Sequence, residues 1–250
     1  MKLSIGLFGF GKTGSVVANE IINDESCELK WVVRKSLINE GEYASHLLGH
    51  DHNEGMIHSY QNINQEFYKE NNVDIIVDFS SSCAVEEYFY AAQHGSRIVS
   101  AISNYSDSDY EQLELLGEQT AVLYSPNITL GINILLKASK LIQKVAPNAD
   151  IEIIEEHFRG KQETSGTAIK IAENLSLNIE QSIKSLRIGG TVGKHEVIFG
   201  FPNQTIRIIH ESINREAFGQ GALYAAKWIM SQTTGMYSME QALSLIMSAD

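Results

Sequence analysis

The sequence predicts an α/β protein, in which a doubly wound parallel sheet is followed by a second domain of mixed α+β character. Short β-rich runs alternate with helical stretches over the first half of the chain, as in a parallel sheet covered on both faces. Beyond Asn127 this alternation stops and a hairpin pattern begins. The 250 residues are 43% apolar, which allows one large or two modest domains with substantial cores.

The elements of the first domain follow one another in regular order. Apolar residues recur on one face of residues 15–22 and predict a helix, and Gly95 ends a second helix that begins near residue 84. The predicted strands are 3–8, 29–33, 73–79 and 98–102, and the predicted helices are 15–22 and 84–94.

The second domain is predicted to combine helices with an antiparallel hairpin. Residues 201–204, Phe-Pro-Asn-Gln, form a turn between two β-rich runs. The predicted strands are 151–155, 197–200 and 205–210, and the predicted helices are 130–145, 167–175 and 216–231. Periodicity alone leaves the last helix open to either domain.

Charge and composition argue against several function classes. The formal charge of −12 opposes attraction to nucleic acid or to an anionic membrane, so an anionic ligand needs a local positive site. No run approaches the ~18 apolar residues that span a bilayer. The N-terminus enters a strand without a cationic leader, and Cys27 and Cys83 are too few for a disulfide scaffold. We therefore expect a cytoplasmic protein with buried, reduced thiols.

Four histidines crowd one polar stretch: His46, His50, His52 and His58. Such a cluster can bind a transition metal. Its spacing matches no rigid ligand pattern, so we predict a solvated loop and no metal site. His195 and His210 lie in or near predicted strands, and we interpret them as hydrogen-bonded structural residues.

A glycine-rich turn links the first predicted strand to the first predicted helix. It consists of Gly9, Phe10, Gly11, Lys12, Thr13 and Gly14, a complete G-x-G-x-x-G. The first glycine permits a tight turn, the second lets the backbone approach a pyrophosphate, and the third allows close helix packing. The helix N-terminus then favours phosphate charge. This context predicts a Rossmann-type dinucleotide-binding domain.

The end of the second strand indicates which dinucleotide binds. An NAD site usually has an Asp or Glu there, whereas an Arg accommodates the 2′-phosphate of NADP. The chain has Arg34 and Lys35 and no acidic residue at that point, which favours NADPH and leaves NADH as a second cofactor. A solvated basic turn is the alternative interpretation.

A histidine, a lysine and a helix start lie close together in the second domain. His157 ends a predicted strand, and Lys161 follows four residues later. An imidazole can donate or accept a proton, and an ammonium can hold a carboxylate or polarise an imine. Ser165, Gly166 and Thr167 then open a helix, where hydroxyls and free N–H groups suit a carboxylate. Simple helix capping by Ser or Thr is the alternative.

Residues 155–168 resemble the signature E-x-H-H-x-x-K-x-D-x-P-S-G-T-A of the bacterial 4-hydroxy-tetrahydrodipicolinate reductases. Further similarity to that family lies at residues 78–80, 125–133, 187–197 and 235–239, so the resemblance covers nearly the whole chain. It implies NAD(P)H-dependent reduction of a small anionic dicarboxylate, 4-hydroxy-tetrahydrodipicolinate, in lysine and diaminopimelate synthesis.

The resemblance also implies roles for single residues. His157 would be the general acid and Lys161 a second proton donor, while Ser165, Gly166 and Thr167 would bind a substrate carboxylate. The implied cofactor-binding residues are Gly9, Phe10, Gly11, Lys12, Thr13, Gly14, Arg34, Phe79, Ala101, Ile102, Ser103, Ser125, Asn127 and Ile128. Residues 1–127 with 217–250 would form the dinucleotide-binding domain. Residues 128–216 would form a substrate-binding domain, whose open mixed sheet assembles a homotetramer.

Three segments depart from the family pattern. Phe158 stands where relatives have a second, substrate-contacting His. Glu163 and Thr164 replace D-x-P with one residue fewer, and residues 101–104 read Ala-Ile-Ser-Asn instead of G-T-T-G. Two alternatives therefore stay open: a related reductase acting on another anionic imine or carbonyl compound, and a catalytically silent NADP-binding protein.

Overall fold

The computed structural model describes residues 2–247, apart from the side chains of Cys83 and residues 245–247. The chain forms two compact units, Met1–Ile128 with Phe218–Asp250 and Thr129–Ala217. The strands are β1 (Leu3–Phe8), β2 (Cys27–Arg34), β3 (Met56–Ser59), β4 (Ile75–Asp78), β5 (Arg97–Ser100), β6 (Ala121–Tyr124), β7 (Asp150–His157), β8 (Ile183–Arg187), β9 (Lys194–Phe201), β10 (Gln204–Glu211) and β11 (Gly235–Tyr237). The helices are α1 (Gly14–Asn23), α2 (Ala44–Leu47), α3 (Gln65–Glu70), α4 (Val85–Gln93), α5 (Asp107–Gly117), α6 (Leu130–Val145), α7 (Gly166–Asn174), α8 (Ile179–Ser182), α9 (Glu216–Ile229) and α10 (Met239–Met247).

The first unit is built on a seven-stranded parallel sheet with the order β11-β6-β5-β4-β1-β2-β3. The strand order changes direction between β1 and β4. Ligands of such sheets bind beyond the carboxyl ends of the strands at that point. The sheet and its intervening helices confirm the predicted Rossmann-type α/β fold.

Three short strands of this sheet were not predicted. β3, β6 and β11 have four, four and three residues, which is too short for alternation to show. β3 corrects the expectation of a solvated loop at His58. This residue lies in the strand, and its ring centroid is 4.9 Å from that of Phe67.

Trp31 lies at the centre of an aromatic cluster in the first unit. Its ring meets Phe8, Phe67 and Tyr68 edge-on, with centroid separations of 5.7, 5.4 and 6.4 Å. The indole N–H donates to the carbonyl of Asn71 at 2.9 Å, so the polar edge of the ring is satisfied inside the core. This packing gives β1 and β2 a rigid base for the loops at their ends.

The second unit is built on a four-stranded mixed sheet with the order β10-β9-β7-β8. β7 is parallel to β8 and antiparallel to β9, while β9 and β10 form the predicted hairpin. On one face, Ile153, Val197 and Phe199 pack with Leu135 of α6 and Ile171 of α7. Polar side chains on this buried face therefore require partners.

Candidate active site

A polar row crosses the buried face of the second unit's sheet. Strand register places Glu155 between Ser185 and His195, with His210 next to His195. His157 follows Glu155 by two residues and so shares its face of β7. The row thus surrounds the predicted proton donor with a buried carboxylate and two further imidazoles.

Glu155 and His157 form a hydrogen-bonded pair. Oε2 of Glu155 lies 2.5 Å from Nδ1 of His157. Because an ionised carboxylate only accepts hydrogen bonds, the imidazole carries a proton on Nδ1, and Nε2 is the nitrogen that can exchange a proton with a ligand. A Cβ placed on Gly193 would lie 3.1 Å from this Nε2, so a larger residue there would crowd it.

Arg187 neutralises the buried carboxylate of Glu155. Its Nη2 lies 2.8 Å from Oε1 of Glu155. Burial raises the pKa of Glu155, but hydrogen bonds, led by the one from Arg187, outweigh burial and lower that pKa to about 2. Glu155 is therefore an anion at neutral pH, which suits it to orient His157 and to stabilise the protonated ring.

The loop between β7 and α7 carries the predicted second donor, Lys161. Arg187 also holds this loop, because its guanidinium donates to the carbonyls of Lys161 and Glu163, each at 2.8 Å. Within residues 2–247, the ammonium of Lys161 makes no hydrogen bond or ion pair. Its three donors are available to a ligand anion.

Ser165 is the N-cap residue of α7, and its side chain does not cap the helix. Its hydroxyl lies 2.9 Å from Nε2 of His195 instead. Its backbone N–H points to Oε1 of Glu155 at 3.4 Å, so His157 and Ser165 meet at one carboxylate. The first-turn N–H groups, which begin at Gly166, have no intrahelical acceptor, and the helix dipole favours an anion there.

His195 is buried between two other imidazoles. Its ring centroid is 5.3 Å from that of His157 and 6.4 Å from that of His210. Burial, followed by the charge of His157, lowers the pKa of His195 to about 4. The imidazole of His195 is therefore neutral at pH 7.

In the first unit, the glycine-rich turn lies at the carboxyl end of β1. Gly9 has a φ of +94°, and a Cβ there would lie 2.8 Å from the backbone of Phe79, so the position requires glycine. A Cβ on Gly14 would overlap the carbonyl of Gly9, whereas Gly11 has open space beside it. These features meet the requirements of a pyrophosphate-binding turn, so the residues fit a dinucleotide.

Two clefts adjoin this turn. One, of about 450 Å³, is lined by residues 9–11, 34–36 and 79–81. The other, of about 480 Å³, is lined by Thr13, residues 79–82 and 101–104, Pro126 and Phe218. The predicted cofactor residues that line a cleft are Gly9, Phe10, Gly11, Thr13, Arg34, Phe79, Ala101, Ile102 and Ser103.

Five predicted cofactor residues line neither cleft: Lys12, Gly14, Ser125, Asn127 and Ile128. Ile128 is fully buried, and the hydroxyl of Ser125 donates to the carbonyl of Asn127 at 3.0 Å. Pro126, which belongs to the segment 125–128 that the resemblance places beside the cofactor, lines the second cleft in their place.

A smaller pocket of about 150 Å³ adjoins Arg34 at the end of β2. Its walls include Phe8, Val33 and Tyr60. Nη1 of Arg34 donates to Oδ1 of Asn39 at 3.1 Å, which holds the guanidinium in place. Apolar walls beside a fixed guanidinium suit a flat ring that carries a phosphate nearby.

Asp78 ends β4 and directly precedes the cleft-lining residues 79–82. It is fully buried, and it accepts hydrogen bonds from the N–H of Ser80, at 2.6 Å, and from the hydroxyl of Tyr88. Burial raises the pKa of Asp78 to about 6, although these hydrogen bonds oppose the rise. The network ties the start of the cleft segment to the core.

Two residues of the histidine-rich stretch contact polar side chains. Nε2 of His50 lies 2.9 Å from Oδ1 of Asn19, and His52 pairs with Glu54 at 3.0 Å. Across the described part of the chain, no three His, Cys, Asp or Glu side chains group so as to hold a metal ion.

No helix in that part is long and apolar enough to cross a membrane. Cys27 is a buried free thiol, whereas the side chain of Cys83 lies outside the description.

Models of known families match almost the entire chain. The one described as dihydrodipicolinate reductase, N-terminus, matches residues 3–128, and dihydrodipicolinate reductase, C-terminus, matches residues 131–243. The chain belongs to the dihydrodipicolinate reductase family. This confirms the resemblance in the sequence and makes residues 3–128 the dinucleotide-binding part of an oxidoreductase.

Individual relatives of the family support the assignment. The chain is 36% identical over 180 residues to the 4-hydroxy-tetrahydrodipicolinate reductase of Thermosipho africanus (strain TCF52B), which covers 71% of this chain and 82% of the relative. It is 33% identical over 187 residues to that of Rickettsia rickettsii (strain Sheila Smith), covering 68% and 78%.

Solved structures show the same fold. A dipicolinate-bound dihydrodipicolinate reductase from Paenisporosarcina sp. TG-14 matches with a TM-score of 0.80 and 21% identity, covering 95% of this chain and 98% of that one. An amine dehydrogenase from Mycobacterium smegmatis matches with a TM-score of 0.66 and 11% identity, covering 96% of each chain.

The sequence did not assign a role to Glu155 or Arg187, and it treated His195 as structural. Glu155 shares strand parity with Ile153 and His157, and a carboxylate on a buried face requires a partner, so it could have been found. Arg187 lies 32 residues further along the chain, and only strand pairing brings it to Glu155.

Proposed function

We propose that this chain reduces 4-hydroxy-tetrahydrodipicolinate to tetrahydrodipicolinate with NAD(P)H, a step in lysine and diaminopimelate synthesis. The observation that carries the proposal is the Glu155–His157 pair, which lies beside the start of α7. The relatives named 4-hydroxy-tetrahydrodipicolinate reductase support the choice of substrate.

His157 acts as the general acid. With Nδ1 bonded to Glu155, the protonated ring presents its Nε2–H to the substrate, and the carboxylate stabilises the positive charge. Once Nε2 has given up its proton, the ring keeps its hydrogen bond to Glu155. The imidazole therefore needs no reorientation before the next proton arrives.

Lys161 and the start of α7 hold the negative charge of the substrate. The Lys161 ammonium makes no ion pair within residues 2–247, and it offsets charge that develops as the substrate is reduced. Ser165, Gly166 and Thr167 bind a carboxylate at the helix N-terminus. A small dicarboxylate is a suitable ligand, because cationic and helix-dipole sites lie together in this unit.

A bound NAD(P)H supplies the hydride. Gly9, Gly11 and Thr13 of the turn would hold its pyrophosphate, with residues 79 and 101–103 lining the adjoining cleft. Arg34 supports a preference for NADPH, because a guanidinium can pair bidentately with a 2′-phosphate. Roles for Lys12, Gly14, Ser125, Asn127 and Ile128 stay predictions.

A steady-state assay tests the function. Enzymatically generated 4-hydroxy-tetrahydrodipicolinate is offered with NADPH or NADH, and cofactor oxidation is followed. The variant His157→Gln should lower kcat about 10²–10⁴-fold, the contribution typical of a general acid, and leave the Kd for NADPH unchanged. Equal loss of turnover and of NADPH binding would show that His157 does not act as the acid.

Phe158 favours a second candidate function, reduction of another anionic imine or carbonyl compound. Phe158 is 48% exposed where the family signature has a second His, so one polar contact of relatives is replaced by an apolar surface. The same assay with simple keto acids separates the candidates. If NADPH is oxidised neither with 4-hydroxy-tetrahydrodipicolinate nor with the keto acids, a catalytically silent binding protein is favoured.

We also propose a homotetramer that forms through the second unit's sheet. The face opposite α6 and α7 carries apolar side chains exposed to solvent, among them Leu186 and Ile209, at 48% and 54%. Light scattering after size-exclusion chromatography measures the assembly, and a monomer at micromolar concentration would contradict it. The cytoplasmic location stays a prediction from the sequence.

A further inference from the structure

The contact between Ser165 and His195 is unusual for a helix start. A serine at an N-cap normally accepts a hydrogen bond from a first-turn N–H of its own helix. Ser165 makes no such bond, and within residues 2–247 its hydroxyl has one partner, Nε2 of His195 at 2.9 Å. The two residues are 4% and 5% exposed, so water does not readily replace either partner.

The second ring nitrogen of His195 decides which tautomer is present. Nδ1 of His195 is buried and has no hydrogen-bond partner in the described part of the chain. A buried N–H group without an acceptor is rarer in proteins, and costs more free energy, than a buried acceptor nitrogen without a donor. The neutral ring therefore carries its proton on Nε2, and this N–H donates to Oγ of Ser165.

This direction of donation leaves the hydroxyl proton of Ser165 for another acceptor. If Nε2 of His195 instead accepted a hydrogen bond from the Ser165 hydroxyl, that hydroxyl would present only lone pairs to a ligand, and lone pairs repel an anion. We propose that His195 is a positioning residue for the anion site: its Nε2–H fixes the hydroxyl of Ser165 as a donor to a ligand carboxylate. This inference rests on the proposed function, because it concerns the same site.

The test measures binding of dipicolinate, a flat dicarboxylate, by calorimetry together with KM and kcat. His195→Leu removes the donor at similar size and should raise Kd and KM about tenfold or more, the value of a hydrogen bond to a charged group. His195→Gln keeps an N–H donor and should restore most of the affinity. The kcat at saturating substrate should change far less than KM in both variants.

Two further variants keep the test from depending on a single substitution: Ser165→Ala, and a double variant that combines it with His195→Leu. Ser165→Ala should weaken dipicolinate to a similar degree, and combining it with His195→Leu should add little, because the two residues act as one unit. Ser139→Ala is the matched control. It removes another buried hydroxyl of the second unit, one that has no hydrogen-bond partner in the described part of the chain, and it should leave the Kd unchanged.

Each outcome is decisive. Wild-type affinity in His195→Leu, equal losses in the Leu and Gln variants, or unchanged affinity in Ser165→Ala would overturn the role of His195. Thermal unfolding of each variant shows whether a loss of affinity comes from misfolding. If the His195 variants misfold, the affinity of Ser165→Ala alone decides the test. A wild-type protein that neither binds dipicolinate nor oxidises NAD(P)H with substrate would refute the proposed function itself.

Discussion

Nδ1 of His157 lies 2.5 Å from Oε2 of Glu155, and this contact determines which nitrogen of the imidazole is free for proton transfer. A carboxylate behind a histidine is a common way to orient the ring and stabilise its charge. Arg187, at 2.8 Å, keeps Glu155 ionised without occupying the oxygen that faces His157.

Glu155→Gln should therefore lower kcat by about 10–100-fold, the range typical of losing a carboxylate partner. The Kd for NADPH should stay the same. Steady-state kinetics and cofactor titration measure both. Glu152→Gln is the control, because this exposed residue on the same strand forms an ion pair with Lys184, at 3.6 Å, away from His157. A wild-type kcat in Glu155→Gln would show that the pair does not assist His157.

Arg34→Ser should raise the KM for NADPH about 10–100-fold, because a charge-assisted hydrogen bond contributes roughly 1.5–3 kcal/mol. The KM for NADH, which lacks the 2′-phosphate, should change little. Lys30→Ser, at an exposed cation earlier on β2, controls for the loss of one positive charge. Equal effects on both cofactors would contradict a contact between Arg34 and the 2′-phosphate.

Gly6→Ala should destabilise the protein by about 1–3 kcal/mol, as expected for an overpacked core. The added methyl group would overlap the buried ring of Trp31, and Trp31 is itself enclosed by Phe8, Phe67 and Tyr68. Urea denaturation measures the loss. Gly190→Ala, where nothing lies within 4 Å of the new Cβ, should change stability far less.

Asp78 should make the free energy of unfolding fall as pH rises from about 4 to about 6. Burial raises the folded-state pKa of Asp78 from 3.8 to about 6, so its contribution is complete below pH 4 and is lost as pH passes 6. Asp78→Asn should flatten the pH dependence in this window. The exposed Asp51→Asn should retain it, and unfolding curves at several pH values compare the three proteins.

Much of the fold followed from local patterns. The helix over residues 130–145 was predicted with its observed bounds. The hairpin was predicted with a turn at 201–204, and the structure shortens this turn to Pro202 and Asn203, because Phe201 and Gln204 pair with each other. The short strands β3, β6 and β11 were missed because three or four residues carry no periodic signal.

The sequence by itself determined the chemical inventory of this protein: a glycine turn after a strand, cations at the end of β2, and a histidine, a lysine and a helix start within a dozen residues. Such features are local, so spacing and residue type are enough to reveal them. Tertiary structure alone decided their partners. Arg187 reaches Glu155, and His195 reaches Ser165, through strand pairing between distant segments. Tautomers and the charge of a buried carboxylate depend on such contacts. A buried polar group has lost its hydrogen bonds to water, so its state is set by the hydrogen bonds that neighbouring residues offer.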